Sequence, residues 1–311
     1  MGKTAFLFAG QGSQYPGMAK DLYENIPEVQ TLFNQAEKLR PGTLAQMFAG
    51  TEDELKQTNN TQPCLFLADL AGAIALKKQG IEPDAVAGFS LGEVVALYFS
   101  GVLSFQEAFK LVCLRGELMH KAATQNAGAM IAVLKMDRDE LALLGKETGT
   151  YLVNYNCPGQ IVVSGKEENI EKLKALLTEK KVRFIQLSVG GPFHTPYMEE
   201  TSDKLKKELK ESDKYQVKAP QLPLFSNKTA QMYPEKEDEI IDIFSAQVSN
   251  SVKWEDILTN MEKMQIDTFV ECGPGKTLSG FVKRTVKGAK ILNVSDIESL
   301  GSTVREFENA C

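Results

Sequence analysis

The sequence predicts an α/β protein in which helices cover both faces of a parallel sheet and a compact ferredoxin-like subdomain is inserted. Over the first 124 residues, short apolar segments typical of buried strands alternate with helical segments, as in parallel sheets. From about residue 125 the order becomes strand, helix, two strands, helix, strand, which is the ferredoxin-like order. We therefore expect residues 1–124 and 191–311 to form the larger subdomain and residues 125–190 the insert.

The elements of the N-terminal part follow from apolar periodicity and from helix start and stop signals. The opening "TAFLFAGQGSQ" predicts a buried strand that ends in a glycine-rich loop. Helices are expected over residues 17–40 and 61–80, and "DAVAGFS" predicts a short strand, a turn at Ser90 and a helix to about Ser100. Ser104 is the expected cap of a further long helix, "SFQEAFKLVCLRGELMHKAA".

The remaining elements are read from shorter segments. The insert's elements are "GAMIAVLKM", "DELALLGKET", "TYLVNYNCPGQIVVSG", "EENIEKLKALLTEK" and "VRFIQLS", with a Pro-Gly turn joining its two central strands. Towards the C-terminus, "QIDTFVECGPG" predicts a strand and loop, and the Lys-rich "KLKKELKESDKYQVK" predicts a solvated helix face and loop.

Composition excludes several functional classes. The 311 residues are 43% hydrophobic and 24% charged, which is typical of a soluble globular protein long enough to bury a large core. A net charge of −6 argues against nucleic acid as the main partner, since phosphate binding needs a basic surface. No apolar run approaches the ~18 residues of a membrane span, and the first ten residues lack a signal-peptide core.

Five scattered cysteines, odd in number and never spaced as CxxC, predict free thiols, with neither a zinc site nor a disulfide framework. They are Cys64, Cys113, Cys157, Cys272 and Cys311. We therefore expect a cytoplasmic protein without a bound metal. The segment "ECGPGKT" resembles the end of a phosphate-binding loop, but Val270 stands where that motif needs glycine, so no nucleotide site is expected.

Ser90 lies in a G-x-S-x-G pattern, "GFSLG", between a predicted strand and a predicted helix. Small flanking residues allow the close approach of strand and helix that a nucleophile elbow needs. Glu93, three residues later, stands where a capping box would place it, so Ser90 is also a candidate helix cap. Both interpretations stay open at this point, and in the first the Leu91 N–H could donate to an oxyanion.

A serine nucleophile needs a base, and the chain has only two histidines. His120 lies within a predicted helix, where a polar surface or partly buried histidine is the simpler interpretation. His194 lies in the loop "VGGPFHTPYM", between Pro192 and Pro196, whose rings restrict the backbone. His194 is therefore the candidate base, and we expect activity to fall in acid near a pKa of about 6.5 unless burial shifts it.

Eight segments together carry a family resemblance. They are "FAGQGSQ", "GFSLGE", "LRGELM", "NYNCPGQIVVSG", "GPFHTPYM", "SNKTA", "QVSNSVKW" and "VECGPGKTLSG". In order and spacing they resemble the malonyl-CoA:acyl carrier protein transacylases, stand-alone enzymes of type II fatty acid synthesis related to the acyltransferase domains of polyketide synthases. The resemblance covers essentially the whole chain and implies an α/β-hydrolase-like large subdomain with the ferredoxin-like insert.

The resemblance also implies a ping-pong reaction. Ser90 would attack the thioester of malonyl-CoA, with His194 as general base and a malonyl-serine ester as intermediate, and the phosphopantetheine thiol of acyl carrier protein would then accept the malonyl group. The backbone N–H groups of Gln11 and Leu91 would form the oxyanion hole. The backbone carbonyl of Gln247 would orient the histidine in place of an acid, which makes a Ser-His dyad.

Further residues are implied to contact the substrate. Arg115 would pair with the free malonyl carboxylate through two parallel hydrogen bonds, which lysine cannot imitate. Asn154 and Asn156 would line the site, either touching substrate or bracing their loop. Phe193 is similar to the residue at this position in the malonyl-selective members. A bulky ring there would hinder a 2-methyl branch. One departure is Phe89, where the family usually has histidine.

The implied partners are malonyl-CoA and an acidic acyl carrier protein, with no cofactor bound to the chain itself and a monomer as the acting form. Basic segments at residues 180–183 and 283–290 are candidates for the rim that meets the carrier. The alternatives are an acyl hydrolase or esterase acting on such thioesters, and a trans-acting polyketide synthase acyltransferase. Arg115 argues against a hydrolase of neutral acyl chains, and a non-enzymatic scaffold would be expected to lose Ser90, His194 or Arg115.

Overall fold

The computed structural model describes residues 2–309. The strands are β1 (Lys3–Phe8), β2 (Ala85–Gly88), β3 (Gly128–Leu134), β4 (Tyr151–Cys157), β5 (Gln160–Lys166), β6 (Arg183–Gln186), β7 (Leu224–Phe225), β8 (Ile266–Cys272) and β9 (Lys290–Val294). The helices are α1 (Lys20–Asn25), α2 (Pro27–Leu39), α3 (Thr43–Ala49), α4 (Glu52–Lys56), α5 (Thr58–Lys78), α6 (Gly92–Phe99), α7 (Phe105–Gln125), α8 (Arg138–Thr148), α9 (Glu167–Glu179), α10 (Glu199–Glu211), α11 (Glu237–Ala246), α12 (Trp254–Lys263), α13 (Thr277–Thr285) and α14 (Ile297–Glu308). Short 3₁₀ turns cover Pro196–Met198 and Gln247–Ser249.

The larger sheet is parallel throughout and has the strand order β7-β2-β1-β8-β9. Apolar residues on its two faces enter two separate cores: Phe6 and Phe8 of β1 pack into one, and Ala5 and Leu7 into the other. Because parallel strands end at one common edge, the loops that follow β1, β2 and β7 meet there. This edge carries the candidate site.

The smaller sheet is antiparallel and has the order β4-β5-β3-β6. Together with α8 and α9 it gives the predicted strand–helix–strand–strand–helix–strand unit, so the ferredoxin-like prediction is confirmed. Along β3, Ile131 and Val133 pack against α8 and α9 in a core of their own, whereas Met130 and Ala132 face the main core. One face of the small sheet therefore lines the cleft described below.

Local signals explain several element boundaries. Ser104 and Glu107 form the capping box that begins α7, as expected. The helix predicted over residues 17–40 is instead two helices, because Pro27 at the first position of α2 has no N–H to continue α1. The Lys-rich segment forms the exposed face of α10 and a loop.

The described cysteines Cys64, Cys113, Cys157 and Cys272 are free thiols, as predicted, and Cys311 lies outside the described residues. Within residues 2–309, no helix combines the length and apolar character needed to cross a membrane.

Candidate active site

Ser90 lies on a tight turn between β2 and α6, in left-handed backbone with φ of 52°. The flanking glycines make this turn possible. A Cβ on Gly88 would lie 1.8 Å from the carbonyl carbon of Gly92, and a Cβ on Gly92 would lie 2.3 Å from the Phe8 carbonyl oxygen. The strand and helix thus approach more closely than any side chain allows, which is the geometry of a nucleophile elbow.

The structure rules out the helix-cap interpretation of Ser90. Within residues 2–309 no side chain caps α6, and the Ser90 N–H donates to Asn227 Oδ1 at 2.6 Å. The Ser90 hydroxyl instead lies 2.8 Å from His194 Nε2, and it accepts a hydrogen bond from Arg115 Nη2 at 3.1 Å. The predicted nucleophile, base and cation therefore converge on one oxygen atom.

His194 also has left-handed backbone, with φ of 61°, in the loop that returns from the small subdomain. Its Nδ1 lies 3.0 Å from the Gln247 carbonyl and 3.1 Å from the Asn250 carbonyl. Two acceptors at Nδ1 require the proton there, which leaves Nε2 free to accept the Ser90 proton. Burial and the positive charge of Arg115 lower the pKa of His194 to about 4. The base is therefore neutral near pH 7 and is oriented by backbone, without an acid.

Arg115 extends from α7 and is 1% exposed. Its Nη1 donates to Gln62 Oε1 at 2.8 Å, and Nη2 donates to Gln247 Oε1 at 2.9 Å. Burial lowers the pKa of Arg115 to about 10, so the guanidinium still carries its charge at pH 7. A buried cation beside the nucleophile can bind an anionic group of a ligand.

Gln11 and Leu91 supply N–H groups at the edge where β1 and β2 end, with Phe8 paired to Gly88. Among the hydrogen bonds of residues 2–309, neither N–H has a protein acceptor. The Gln11 side chain donates to Thr58 Oγ1 at 3.2 Å, which anchors its loop. Both residues line the cleft around Ser90, so their N–H groups are available to a developing oxyanion.

The site opens through two adjoining clefts. The inner cleft, about 480 Å³ with its mouth, surrounds the Ser90 hydroxyl and includes Met119, Met130 and Phe193. The outer cleft, about 890 Å³, runs between the glycine-rich loop, the small sheet and α13. In the described part of the chain, four residues line both clefts: Gln11, Phe89, Asn154 and Leu187. A long, narrow substrate could therefore reach Ser90 from the outer cleft.

Asn154 and Asn156 are 7% and 5% exposed, on the irregularly paired strand β4. Each keeps an Oδ1 with no hydrogen-bond partner among residues 2–309. Asn156 Nδ2 donates to Gln160 Oε1 at 3.1 Å, which braces the neighbouring turn. Both carbonyl oxygens are buried, and the two residues line the outer cleft.

Phe89 lines both clefts and also packs against the second core. Its ring is edge-on to Trp254 with the ring centroids 5.3 Å apart, and its centroid lies 6.2 Å from that of Phe281. His120, the other histidine, lies near the end of α7 and lines neither cleft. The departure at position 89 therefore leaves the Ser90–His194 contact intact.

Sequence reasoning missed three members of the site. Gln62 and Asn227 received no role, although both occur in segments with a clear pattern: an amide inside the apolar run "TQPCLFL", and the "SNKTA" segment. The sequence predicts only a capping role for Glu93, but its carboxylate is fully buried and accepts hydrogen bonds from three other residues. For Gln62 and Glu93 the available signal is an amide or an acid in an otherwise apolar helix.

Comparisons with known proteins agree with this geometry. The acyl transferase domain family matches residues 5–310. The malonyl CoA-acyl carrier protein transacylase of Bacillus subtilis (strain 168) is 40% identical over 315 residues, covering 99% of this chain and 98% of the relative. The crystal structure of malonyl CoA-acyl carrier protein transacylase from Clostridium perfringens superposes with a TM-score of 0.93 at 35% identity, covering 99% and 98% of the two chains.

A further solved structure contains a carrier protein. It is described as a type II PKS acyl-carrier protein in complex with its malonyl-transacylase, and it matches with a TM-score of 0.92 at 31% identity over 98% and 99% of the chains. The chain therefore belongs to the acyl transferase family and is an acyltransferase. Within that class its full-length relatives place it among the malonyl CoA-acyl carrier protein transacylases, as the sequence resemblance indicated.

Proposed function

We propose that this enzyme transfers a malonyl group from malonyl-CoA to the phosphopantetheine thiol of an acyl carrier protein, through a malonyl ester of Ser90. One observation carries the proposal: a single hydroxyl oxygen contacts both a neutral imidazole and a buried guanidinium. The imidazole suits a serine nucleophile, and the guanidinium suits an acyl group that ends in a carboxylate. The names and full-length coverage of the relatives support the same reaction.

In the first half-reaction, His194 Nε2 takes the Ser90 proton while Oγ attacks the thioester carbonyl. The negative charge moves to the carbonyl oxygen, where the Gln11 and Leu91 N–H groups donate to it. The tetrahedral intermediate then expels the CoA thiolate, which takes the proton back from Nε2. Malonyl-serine and free CoA remain.

In the second half-reaction the carrier's thiol gives its proton to His194 Nε2 and attacks the malonyl-serine carbonyl. Collapse of the second tetrahedral intermediate breaks the ester bond, and Ser90 Oγ recovers its proton from Nε2. The nucleophile, base and cation all come from the chain itself, and the pantetheine thiol comes with the carrier. All these groups belong to one chain, which supports action as a monomer. A cytoplasmic location stays a prediction of the sequence.

Arg115 couples substrate binding to the strength of the base. In the free enzyme its charge is one of the two causes that lower the pKa of His194. A malonyl carboxylate placed on the guanidinium would offset that charge and raise the pKa of the imidazole. The base would then strengthen when the correct substrate is bound. Phe193, 5% exposed beside the same cleft, would hinder a 2-methyl branch.

The outer cleft suits the pantetheine arm shared by CoA and the carrier. Asn154 and Asn156 line this cleft and are the candidate hydrogen-bond partners for the two amide groups of that arm. Asn156 also braces Gln160, so the two roles considered for these residues do not exclude each other.

Two basic segments flank the outer cleft. Arg183 lies on β6, whose Ile185 lines the cleft, and α13 lines it with Thr277, Leu278 and Phe281. Lys180 and Lys290 are engaged by Glu140 and Glu306. Exposed Arg183 and Lys283 form no salt bridge within residues 2–309, so they are the stronger candidates for meeting an acidic carrier. Charge reversal at both should slow carrier transfer at low salt, whereas Lys38→Glu on α2 should not.

Intact-protein mass spectrometry after brief mixing with malonyl-CoA or acetyl-CoA tests the function. Wild type should gain a malonyl adduct from malonyl-CoA and none from acetyl-CoA. Ser90→Ala should gain none, and Arg115→Ala should lose the malonyl adduct. Steady release of free CoA without an adduct would instead mean that water takes the acyl group, which is the hydrolase alternative.

A further inference from the structure

Glu93 is a buried acid that the reaction above does not use. It lies on the first turn of α6, three residues after Ser90, and its side chain is fully buried. Its Oε1 accepts hydrogen bonds from the Tyr233 hydroxyl at 2.6 Å and the Asn227 N–H at 3.2 Å. Its Oε2 accepts one from Gln247 Nε2 at 2.7 Å. Three residues from two distant segments of the chain thus donate to one carboxylate.

The surroundings of this carboxylate suit its ionised form. The Asn227 N–H and the Gln247 amide nitrogen can only donate, and the Tyr233 hydroxyl is free to donate. Burial raises the pKa of Glu93 to about 7, while these hydrogen bonds and the charge of Arg115 act in the opposite direction. At pH 8 the group is therefore a carboxylate, and a carboxylate only accepts hydrogen bonds.

This requirement fixes the orientation of the Gln247 amide. The amide has one donating and one accepting end, and its Nε2 donates to Glu93 Oε2 and to the Ser90 carbonyl, both at 2.7 Å. The opposite end, Oε1, then faces Arg115 Nη2 at 2.9 Å. If the amide were inverted, its oxygen would face the carboxylate and its NH₂ would face the guanidinium, so both contacts would be repulsive.

Arg115 is held between two such amide oxygens, Gln62 Oε1 on Nη1 and Gln247 Oε1 on Nη2. We propose that Glu93 is a positioning residue for acyl-group selection, which acts through the Gln247 amide to aim Arg115 at the substrate carboxylate. This inference rests on the proposed function. It makes the preference for a malonyl group depend on a residue that never touches the substrate. The hydrogen bonds that orient His194 lie outside this route, since its Nδ1 is held by backbone carbonyls.

The test compares acylation of Ser90 by two reagents at pH 8. Malonyl-CoA needs Arg115, whereas p-nitrophenyl acetate has no carboxylate and needs only the nucleophile, base and oxyanion donors. In Glu93→Gln the new side chain can present either amide end, so Gln247 is no longer held in one orientation. We expect the malonyl-CoA rate to fall roughly 10- to 100-fold relative to the ester rate, which corresponds to one hydrogen bond to a charged group. The fall should appear mainly in KM.

Tyr233→Phe is the matched control. It removes one hydrogen bond from the same carboxylate but leaves Oε2 on Gln247, so the ratio of the two rates should stay within about threefold of wild type. An unchanged ratio in Glu93→Gln would overturn the proposal, because a purely structural effect would slow both reagents alike. A tenfold fall in Tyr233→Phe would overturn the route through Gln247, even if Glu93→Gln did not fold. Failure of wild type to form a malonyl adduct would count against the proposed function instead.

Discussion

The pH dependence of Ser90 acylation should be displaced far into acid. His194 must be neutral to take a proton, and burial together with Arg115 lowers its pKa to about 4. At pH 5.5 a histidine with a pKa of about 4 is about 97% neutral, whereas one with the ordinary value of about 6.5 is only about 9% neutral. The rate should therefore be nearly constant from pH 8 to 5.5 and should fall about tenfold per pH unit only below pH 4.

The assay uses p-nitrophenyl acetate, because a malonyl carboxylate would itself change the charge beside the imidazole. Formation of acetyl-Ser90 is followed by intact mass between pH 4 and 8, with Ser90→Ala as the blank and circular dichroism as the check on folding. Arg115→Leu provides the second arm. Removing the guanidinium removes one of the two causes of the shift, so the acid limb should move up to between pH 4 and 6.5.

Two groups of the site have opposite effects on the stability of the fold in acid. The pKa of His194 is lower in the folded than in the unfolded chain, so its contribution is present above pH 6.5 and is lost as the pH falls towards 4, by about 3 kcal/mol in all. The pKa of Glu93 is raised to about 7, so its contribution is lost in the other direction, as the pH rises from 4.5 to 7. These opposite trends keep their combined effect small between pH 4.5 and 6.5. If the rate of Ser90 acylation in folded wild-type protein fell with an apparent pKa near 6.5, the lowered pKa of His194 would be refuted.

Three further predictions concern single side chains. Arg115→Lys should lower kcat/KM for malonyl-CoA by roughly 10²-fold, because lysine cannot span Gln62, Gln247 and a carboxylate at once; steady-state kinetics check this, and a loss below threefold would contradict it. Gly88→Ala should lower the midpoint of thermal unfolding and abolish acylation, since its Cβ would overlap Gly92, whereas the control Gly280→Ala, whose Cβ meets nothing within 4 Å, should keep both. Phe89→Ala should lower the free energy of unfolding by about 1–3 kcal/mol in urea titrations through lost contact with Trp254 and Phe281, while Ser90 still acylates; a loss of acylation in the folded variant would show that Phe89 acts in the reaction.

Local pattern carried the sequence predictions that succeeded. The order of elements in the small subdomain, the strand–turn–helix around Ser90 and the cap at Ser104 each depend on a few neighbouring residues. The prediction of one long helix over residues 17–40 was wrong. Apolar periodicity does not show the helix boundary that Pro27 creates. The capping box at Ser90 and Glu93 failed for another reason. Its spacing fits a cap, but Asn227, distant in sequence, takes the Ser90 N–H instead.

The electrostatics of the site could not be read from the sequence. The carboxylate of Glu93 meets groups that lie 134 to 154 residues further along the chain, and their convergence depends on β7 pairing with β2. The pKa of His194 likewise follows from the burial of its side chain and from the approach of Arg115, and both depend on the tertiary structure. Sequence motifs identify the reacting groups, whereas the tertiary structure determines their ionisation states.

Position 247 performs two tasks with two different parts of one residue. Its backbone carbonyl, which every amino acid possesses, accepts a hydrogen bond from the imidazole. Its contact with Arg115 is made by the side-chain amide. A mutation at this codon can therefore alter which acyl groups are accepted while the hydrogen bond that orients the base persists. The substrate range of such an enzyme can drift in evolution without passing through an inactive ancestor.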